Sequence, residues 1–420
     1  MSVGVLAVGD AFMPAGLFTA ALASLGDAVT VTELQIAGTE AVPPRTESGK
    51  LLREYVGDPA ELASAAPGHE VLLVHGAPVT AEVLDSAPLR LVCCARGGPV
   101  NVDVAAASAR RIPVTNAPGR NARAVAELTI AFALMLIRGV PGSARYLIDG
   151  GRHGGSTYEG SEFIGGEAAS MTLGLVGLGN VGREVATRGR ALGFTMLGYD
   201  PDPPGAIPPD VTIVALDDLL SRSDLVSVHA RATAGNRQMF GTAAFGRMPR
   251  GSFFINTARE SLVDEDALAR ALASGALAGA ALDVAEPRPA GDRHPLLDLP
   301  NVIITPHIGG ATRETLRRGA EMAAAAVASV LSGGVPDHLL NPEVIAHEEA
   351  ALCPGARGHA CSRSTRAPGA AGRCCSAPRA SRWRSRSGSG PTASRRMPRA
   401  ARISTLRPTG QRSQPASVTR

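Results

Sequence analysis

Thr172-Leu173-Gly174-Leu175-Val176-Gly177-Leu178-Gly179-Asn180-Val181-Gly182-Arg183-Glu184-Val185-Ala186 decides the fold. The first five residues read as an apolar strand, and the residues after Gly179 read as the opening of a helix. A GxGxxG pattern is weak evidence by itself and gains meaning in this strand–turn–helix setting. Gly177 allows the tight turn, Gly179 lets backbone approach a diphosphate, and Gly182 lets the helix pack close to the strand. The amides around Leu178, Asn180 and Val181 then face the phosphates at a helix N-terminus, where the dipole favours anions. A second strand over 194–199 ends on Asp200, 18 residues beyond Gly182. That carboxylate suits the two hydroxyls of an adenosine ribose and repels a 2′-phosphate. No Arg follows it in Pro201-Asp202-Pro203-Pro204. The expected cofactor is NAD.

Outward from this unit, short apolar runs alternate with helical stretches from residue 1 to about 310. Strands are expected at 2–8, 71–75, 90–95, 171–176, 194–199, 211–215, 224–229, 252–257, 278–284 and 302–305. Such alternation argues for βαβ units and parallel sheets. Asn121–Leu147 reads as one long helix, and an Ala-rich helix runs from about Arg313 to Leu331. The pattern predicts two doubly wound domains, the second inserted into the first. The first is expected over 1–118 and 311–345 and the second over 119–310, with hinges near Pro118-Gly119 and Gly309-Gly310.

The chain has 420 residues, 45% of them hydrophobic, enough for two ordinary cores. Its net charge of +4 conceals two regions. Residues 351–420 carry 15 Arg and no Asp or Glu, which leaves 27 basic against 38 acidic side chains, net −11, in the rest. An acidic body gives no reason to expect a nucleic-acid surface. The segment 348–420 is rich in Arg, Ser, Pro and Ala and lacks periodicity, so a disordered tail is expected. A frame-shifted translation of GC-rich DNA is a sharper reading, since Arg outnumbers Lys 41 to 1 in the chain. A nucleic-acid-binding arm is its rival. Four of the six Cys lie in this tail, and Cys93 and Cys94 fall in an apolar run, so no disulfide framework is expected. No apolar run is long enough to span a bilayer. The N-terminus lacks a basic start, and a cytoplasmic location is expected.

Two strand ends downstream carry chemistry. Phe253-Phe254-Ile255-Asn256-Thr257-Ala258-Arg259 places Arg259 at a strand's C-terminal edge, outside which ligands bind in open α/β sheets. Its paired donors can grip a carboxylate; a surface ion pair with Asp264 or Glu265 is the competing reading. Asn301–Thr312 places His307 at another strand end, before a glycine pair, where it suits proton exchange near neutral pH.

Four blocks together resemble the D-isomer-specific 2-hydroxy acid dehydrogenases. They are Gly177–Gly182 with Asp200, Asn256–Arg259 with Leu262–Glu265, Ala281–Val284, and Thr305–Gly310. The resemblance runs from about residue 70 to Leu340-Asn341-Pro342-Glu343. It implies a flavodoxin-like substrate domain with an inserted Rossmann NAD-binding domain, a small anionic 2-hydroxy/2-oxo acid as substrate, and a homodimer, with no metal, membrane or nucleic-acid partner. It further implies that Arg259 binds substrate and polarises its carbonyl, and that His307 is the acid/base. It sets Asp283 near the nicotinamide carboxamide, lines the cofactor cleft with His229, Ala230, Thr257, Ala258 and Gly309, and holds the substrate carboxylate on the loop Arg96-Gly97-Gly98.

The chain departs from that pattern beside His307. The family pairs this His with a Glu five residues after the Asp corresponding to Asp283. Here an ungapped count reaches Arg288. Glu286 is the nearest carboxylate, and two readings stand. Either Glu286 reaches His307 through the Pro-rich loop, or the imidazole has no carboxylate and a neighbouring cation disfavours its protonated form. Glu260 also replaces the usual Gly after the Arg. A non-catalytic NAD sensor, or a degenerate member of the same fold, is the alternative function.

Overall fold

The computed structural model describes residues 2–44, 49–151, 157–203, 205–289 and 291–345. The expectations for 348–420 lie outside these residues. Two parallel sheets organise the chain. The first contains β1 (Val3–Gly9), β2 (Val29–Gln35), β3 (Val71–Val74), β4 (Leu91–Cys94) and β5 (Val114–Thr115), in the order β2-β1-β3-β4-β5. This is the flavodoxin-like order. The second contains β6 (Thr172–Val176), β7 (Thr195–Tyr199), β8 (Val211–Ile213), β9 (Leu225–Val228), β10 (Ser252–Asn256), β11 (Leu277–Leu282) and β12 (Val302–Ile304). Its order, β12-β11-β10-β9-β6-β7-β8, is the Rossmann arrangement extended by one strand.

The central strands are apolar because helices cover both faces of a parallel sheet. Every residue of β3, β4 and β9 is buried. On the first sheet, Val5, Ala7, Leu91 and Cys93 pack against Ala320, Ala323, Ala324 and Val327 of the Arg313–Leu331 helix. The Arg313–Leu331 helix therefore packs on the first sheet. On the second sheet, Leu173, Leu175 and Ile255 pack against Ala126, Ile130, Ala133 and Ile137 of the Ala122–Ile137 helix.

The single helix expected over 121–147 is instead two, Ala122–Ile137 and Val140–Ile148, bent by 66°. Gly139 lies between them in the left-handed region, at φ 62°, and Pro141 sits in the first turn of the second helix. A left-handed Gly ends one helix and Pro at the start suits the next. No single helix among the described residues is long and apolar enough to cross a membrane.

The two links between the sheets lie close together. Gly119 has φ 75°, and a Cβ there would meet Asn180 Nδ2 at 2.9 Å. Gly310 lies against Asn121, whose Nδ2 would be 3.3 Å from such a Cβ.

Candidate active site

The glycine turn is shaped as its residue pattern requires. Gly177 has φ 100°, and a Cβ there would stand 2.6 Å from both the Ala230 amide nitrogen and the His229 carbonyl carbon. The backbone of His229-Ala230 thus borders the turn. A Cβ on Gly182 would stand 2.1 Å from the Gly177 carbonyl oxygen, so the helix comes as close as its third glycine allows. A Cβ on Gly179 would meet nothing within 4 Å. Gly179 caps the Asn180–Ala191 helix without a side-chain bond, and the first intrahelical donor is Arg183 N–H to the Gly179 carbonyl at 3.1 Å. The amides of the first turn are the orphan donors of a helix start, set beside open space. Asp200 receives the Leu178 N–H on Oδ2 at 2.7 Å and the Asp202 N–H on Oδ1 at 3.1 Å. Lone pairs on both oxygens are left for hydroxyl donors. The residues present fit a dinucleotide with a free ribose 2′-hydroxyl.

His229 is part of this wall rather than of proton chemistry. Its Nε2 pairs with Ser227 Oγ at 2.9 Å, and burial pushes its pKa down to about 3. Thr257 Oγ pairs with Thr129 Oγ at 3.1 Å and ties the end of β10 to the Ala122–Ile137 helix. Asn256, fully buried, accepts from Ala258 N–H at 3.0 Å and donates to the Arg259 carbonyl at 2.9 Å. The segment carrying Arg259 is therefore fixed through its backbone. The competing ion pairs for Arg259 do not form. Asp264 caps the Glu265–Ala273 helix, and Glu265 bonds His294 at 2.9 Å.

Asp283 acts on the turn that follows β12. It is buried and accepts from Thr305 Oγ at 2.6 Å and from the Ile308 and Gly309 amides, each at 2.8 Å. This carboxylate, expected beside the carboxamide, is the organiser of the 305–309 turn. The turn holds His307 at φ 55°, in the left-handed region, with the His307 N–H on the Asp283 carbonyl at 2.9 Å. The imidazole is exposed, and among the described residues it has no hydrogen bond or ion pair. Glu286 is not brought to it. The Glu286 N–H is pinned to Glu265 Oε1 at 2.7 Å, and both Glu286 and Arg288 are exposed, without side-chain partners among the described residues.

In the first sheet, Gly97 and Gly98 present amide N–H groups with no acceptor among the described residues. The Gly97 carbonyl accepts from Asn116 Nδ2 at 2.9 Å, which steadies the loop. Arg96 turns to Glu54: its guanidinium donates to the Glu54 carbonyl at 2.6 Å and to the Glu54 carboxylate. Arg259, from the second sheet, approaches the same carboxylate, with Nε 3.7 Å from Oε1. Arg96 and Arg259 are thereby brought together on one carboxylate.

Beneath them lies a buried polar chain. Asp10, at the end of β1, accepts from the Phe12, Met13 and Gly76 amides and from His75 Nδ1 at 2.7–2.9 Å. Arg120 Nη2 donates to His75 Nε2 at 3.0 Å. Burial would raise the Asp10 carboxyl, but His75 and two backbone amides hold it below its ordinary value. Burial lowers His75 against the opposing effect of Asp10. Neutral His75 with its proton on Nδ1 satisfies both contacts. Burial and neighbouring Arg96 push Arg120 down to about 10. With Nε2 occupied, His75 is no proton donor to a ligand.

Residues 130–309 match the family model described as D-isomer specific 2-hydroxyacid dehydrogenase, NAD binding domain. The chain is 36% identical to a glyoxylate reductase of Korarchaeum cryptofilum over 271 residues, covering 64% of this chain and 81% of that one. The chain belongs to the D-isomer-specific 2-hydroxyacid dehydrogenase family. A hydroxypyruvate reductase of Thermotoga maritima is 37% identical over 61% of this chain and 83% of its own. The TT0316 protein of Thermus thermophilus superposes with a TM-score of 0.66 at 34% identity, covering 80% of this chain and all of that one. A D-3-phosphoglycerate dehydrogenase of Mycobacterium tuberculosis is 37% identical over 299 residues, but the chain spans 55% of its length. The matched family domain binds NAD, in keeping with Asp200.

Asp10, Glu54 and His75 escape a motif-based reading of this family member, whereas Arg120 stands in the crossover segment 116–121, where the sequence sets it near the cleft as a candidate anion contact; it turns instead to His75. Asp10 and His75 follow β1 and β3 at carboxyl ends, the signal that picked out Arg259 and His307. Glu54 belongs to an irregular loop without such a signal.

Proposed function

We propose that the chain is an NAD-dependent oxidoreductase interconverting a small D-2-hydroxy acid and its 2-oxo acid, of phosphoglycerate, glycerate/hydroxypyruvate or sugar-acid type. Hydride exchange at C2 is the chemistry that NAD supplies when bound. Arg259 holds the substrate carboxylate and polarises the C2 carbonyl, with the free amides of Gly97 and Gly98 as further donors. His307 exchanges the hydroxyl proton. The supporting observation is the presentation of Arg259 to a carboxylate at 3.7 Å, from a segment fixed by Asn256. The test is NADH oxidation with glyoxylate, hydroxypyruvate and sugar-derived 2-oxo acids. Turnover of at least one is expected; NADH binding with no turnover refutes the reading.

That negative outcome would favour an NAD sensor, a reading supported by the lack of a carboxylate on His307. Glu286→Gln decides the role of the nearest candidate. Its exposed position argues for unchanged turnover and pH profile, and a large loss would return Glu286 to the mechanism. A homodimer accounts for the exposed apolar side chains Leu147, Ile148 and Ile164, the last two 76% and 86% exposed. Light scattering on the purified chain tests it, and a monomer would refute it.

A further inference from the structure

We propose that Glu54 sets substrate selectivity, admitting 2-oxo acids with one negative charge and an uncharged or hydroxylated tail while rejecting those with a second anionic group. The inference rests on the oxidoreductase reading and deepens it.

The argument is one of charge and of free donors. Glu54 shares its carboxylate between Arg96 and Arg259, so the three side chains together carry one positive charge. Arg120 is matched separately to Asp10 through His75. One substrate carboxylate therefore neutralises the group, and a phosphate or second carboxylate leaves it negative.

The donors agree with the charges. Arg96, which by itself would suit a distal phosphate, has both terminal nitrogens engaged by Glu54. Its side chain is 17% exposed, so the fork is largely enclosed as well as occupied. Arg259 keeps capacity: Nη1 donates to the Ala258 carbonyl at 2.7 Å, and Nη2 has no acceptor among the described residues. A carboxylate bound there lies beside that of Glu54, and a further anion meets both negative charges, an effect that solvent reduces because the Arg259 and Glu54 side chains are 40% and 37% exposed. A substrate hydroxyl, by contrast, gains an acceptor in Glu54. The contact is built into the loop. Glu54 stands at φ 50°, a left-handed backbone that non-glycine residues adopt rarely, and the Arg96 bond to its carbonyl holds it there.

The experiment compares kcat/KM for hydroxypyruvate with that for 3-phosphohydroxypyruvate and oxaloacetate, in the full chain with NADH. Wild type is expected to favour hydroxypyruvate. Glu54→Gln is expected to move the ratio toward the two multiply charged acids by roughly tenfold or more, mainly through KM. Arg96→Gln is expected to move it the other way, which separates charge selection from damage to the loop. A ratio changed less than threefold in Glu54→Gln, or a wild type that prefers the multiply charged acids, overturns the proposal. If NADH binds but no 2-oxo acid turns over, the oxidoreductase reading fails, and selectivity is read from binding. Dissociation constants for oxamate (one charge) and tartronate (two) are then taken from NADH fluorescence. Tartronate must gain on oxamate in Glu54→Gln, and a constant ratio overturns the proposal.

Discussion

Replacing Asp283 by Asn tests whether the turn carrying His307 is held by that carboxylate. The carboxylate receives three donors, Thr305 Oγ and the Ile308 and Gly309 amides, in a buried position. Asn keeps one acceptor oxygen and turns an NH2 group toward the donors facing the other. One buried N–H then lacks an acceptor, at about 1–3 kcal/mol, and the remaining bonds lose their charge assistance. The total is about 3 kcal/mol, softened where the Thr305 hydroxyl rotates away. His307 also stands in a left-handed backbone that costs roughly 1 kcal/mol and persists only under restraint. A turn weakened by about 3 kcal/mol leaves His307 in register in roughly one molecule in a hundred, if the native turn is only just favoured. The expected result is a fall in kcat of roughly ten- to a hundredfold with hydroxypyruvate, together with faster amide exchange at Ile308 and Gly309. Retention of more than a third of wild-type kcat with unchanged exchange at those amides would refute the reasoning.

Gly179→Ala and Gly182→Ala should part company. The first adds a Cβ to open space at an ordinary φ of −68°, so Tm should hold while NADH affinity falls roughly tenfold or more; the second drives a Cβ to within 2.1 Å of the Gly177 carbonyl and should lower Tm by several degrees, read by calorimetry. Asp200→Ala should weaken NADH and strengthen NADPH, narrowing their dissociation constants by roughly tenfold by fluorescence titration; an unchanged ratio counts against Asp200 as the ribose contact. Folding keeps His229 neutral, its pKa held down to about 3 by burial, against about 6.5 in the unfolded chain. The unfolded state binds more protons between those values, so this contribution is complete above about pH 6.5 and is lost progressively as pH falls toward about 3. Denaturant melts at pH 7.5, 6 and 5 should show declining stability, with a shallower decline in His229→Asn.

The parts of the fold legible in the sequence are those where burial leaves a periodic trace. Strands β3, β4, β6 and β9 are continuous apolar runs because helices cover both faces, and their positions follow from that pattern. Strand β2 left no such trace. It is an edge strand, Val29–Gln35, with four of its seven residues exposed and none buried, and with Thr and Glu among the apolar positions. Strand β5 is two residues long, too short to carry a period. The 66° bend is marked in the sequence by Gly139 and Pro141, a helix stop and a helix start, which the long apolar run before them masks. In the site, Gly177, Asp200, Arg259 and His307 stand at strand ends, where spacing and chemistry coincide. The Glu54 contact joins residues 42 and 205 positions apart in the chain, from an irregular loop to both sheets, and no local pattern encodes such a meeting. Asp283 shows the converse. Its residue type and place were legible, but its three bonds to the following turn appear only in three dimensions.

Gly119 lies against Asn180, the first residue of the dinucleotide helix, and Gly310 lies against Asn121 in the neighbouring link. Both connections between the halves therefore run past a neighbour's side chain, and one of them meets the first residue of the helix whose opening amides face open space. A group held at that helix start and the link at Gly119 share Asn180, so a change at either one is felt at the other.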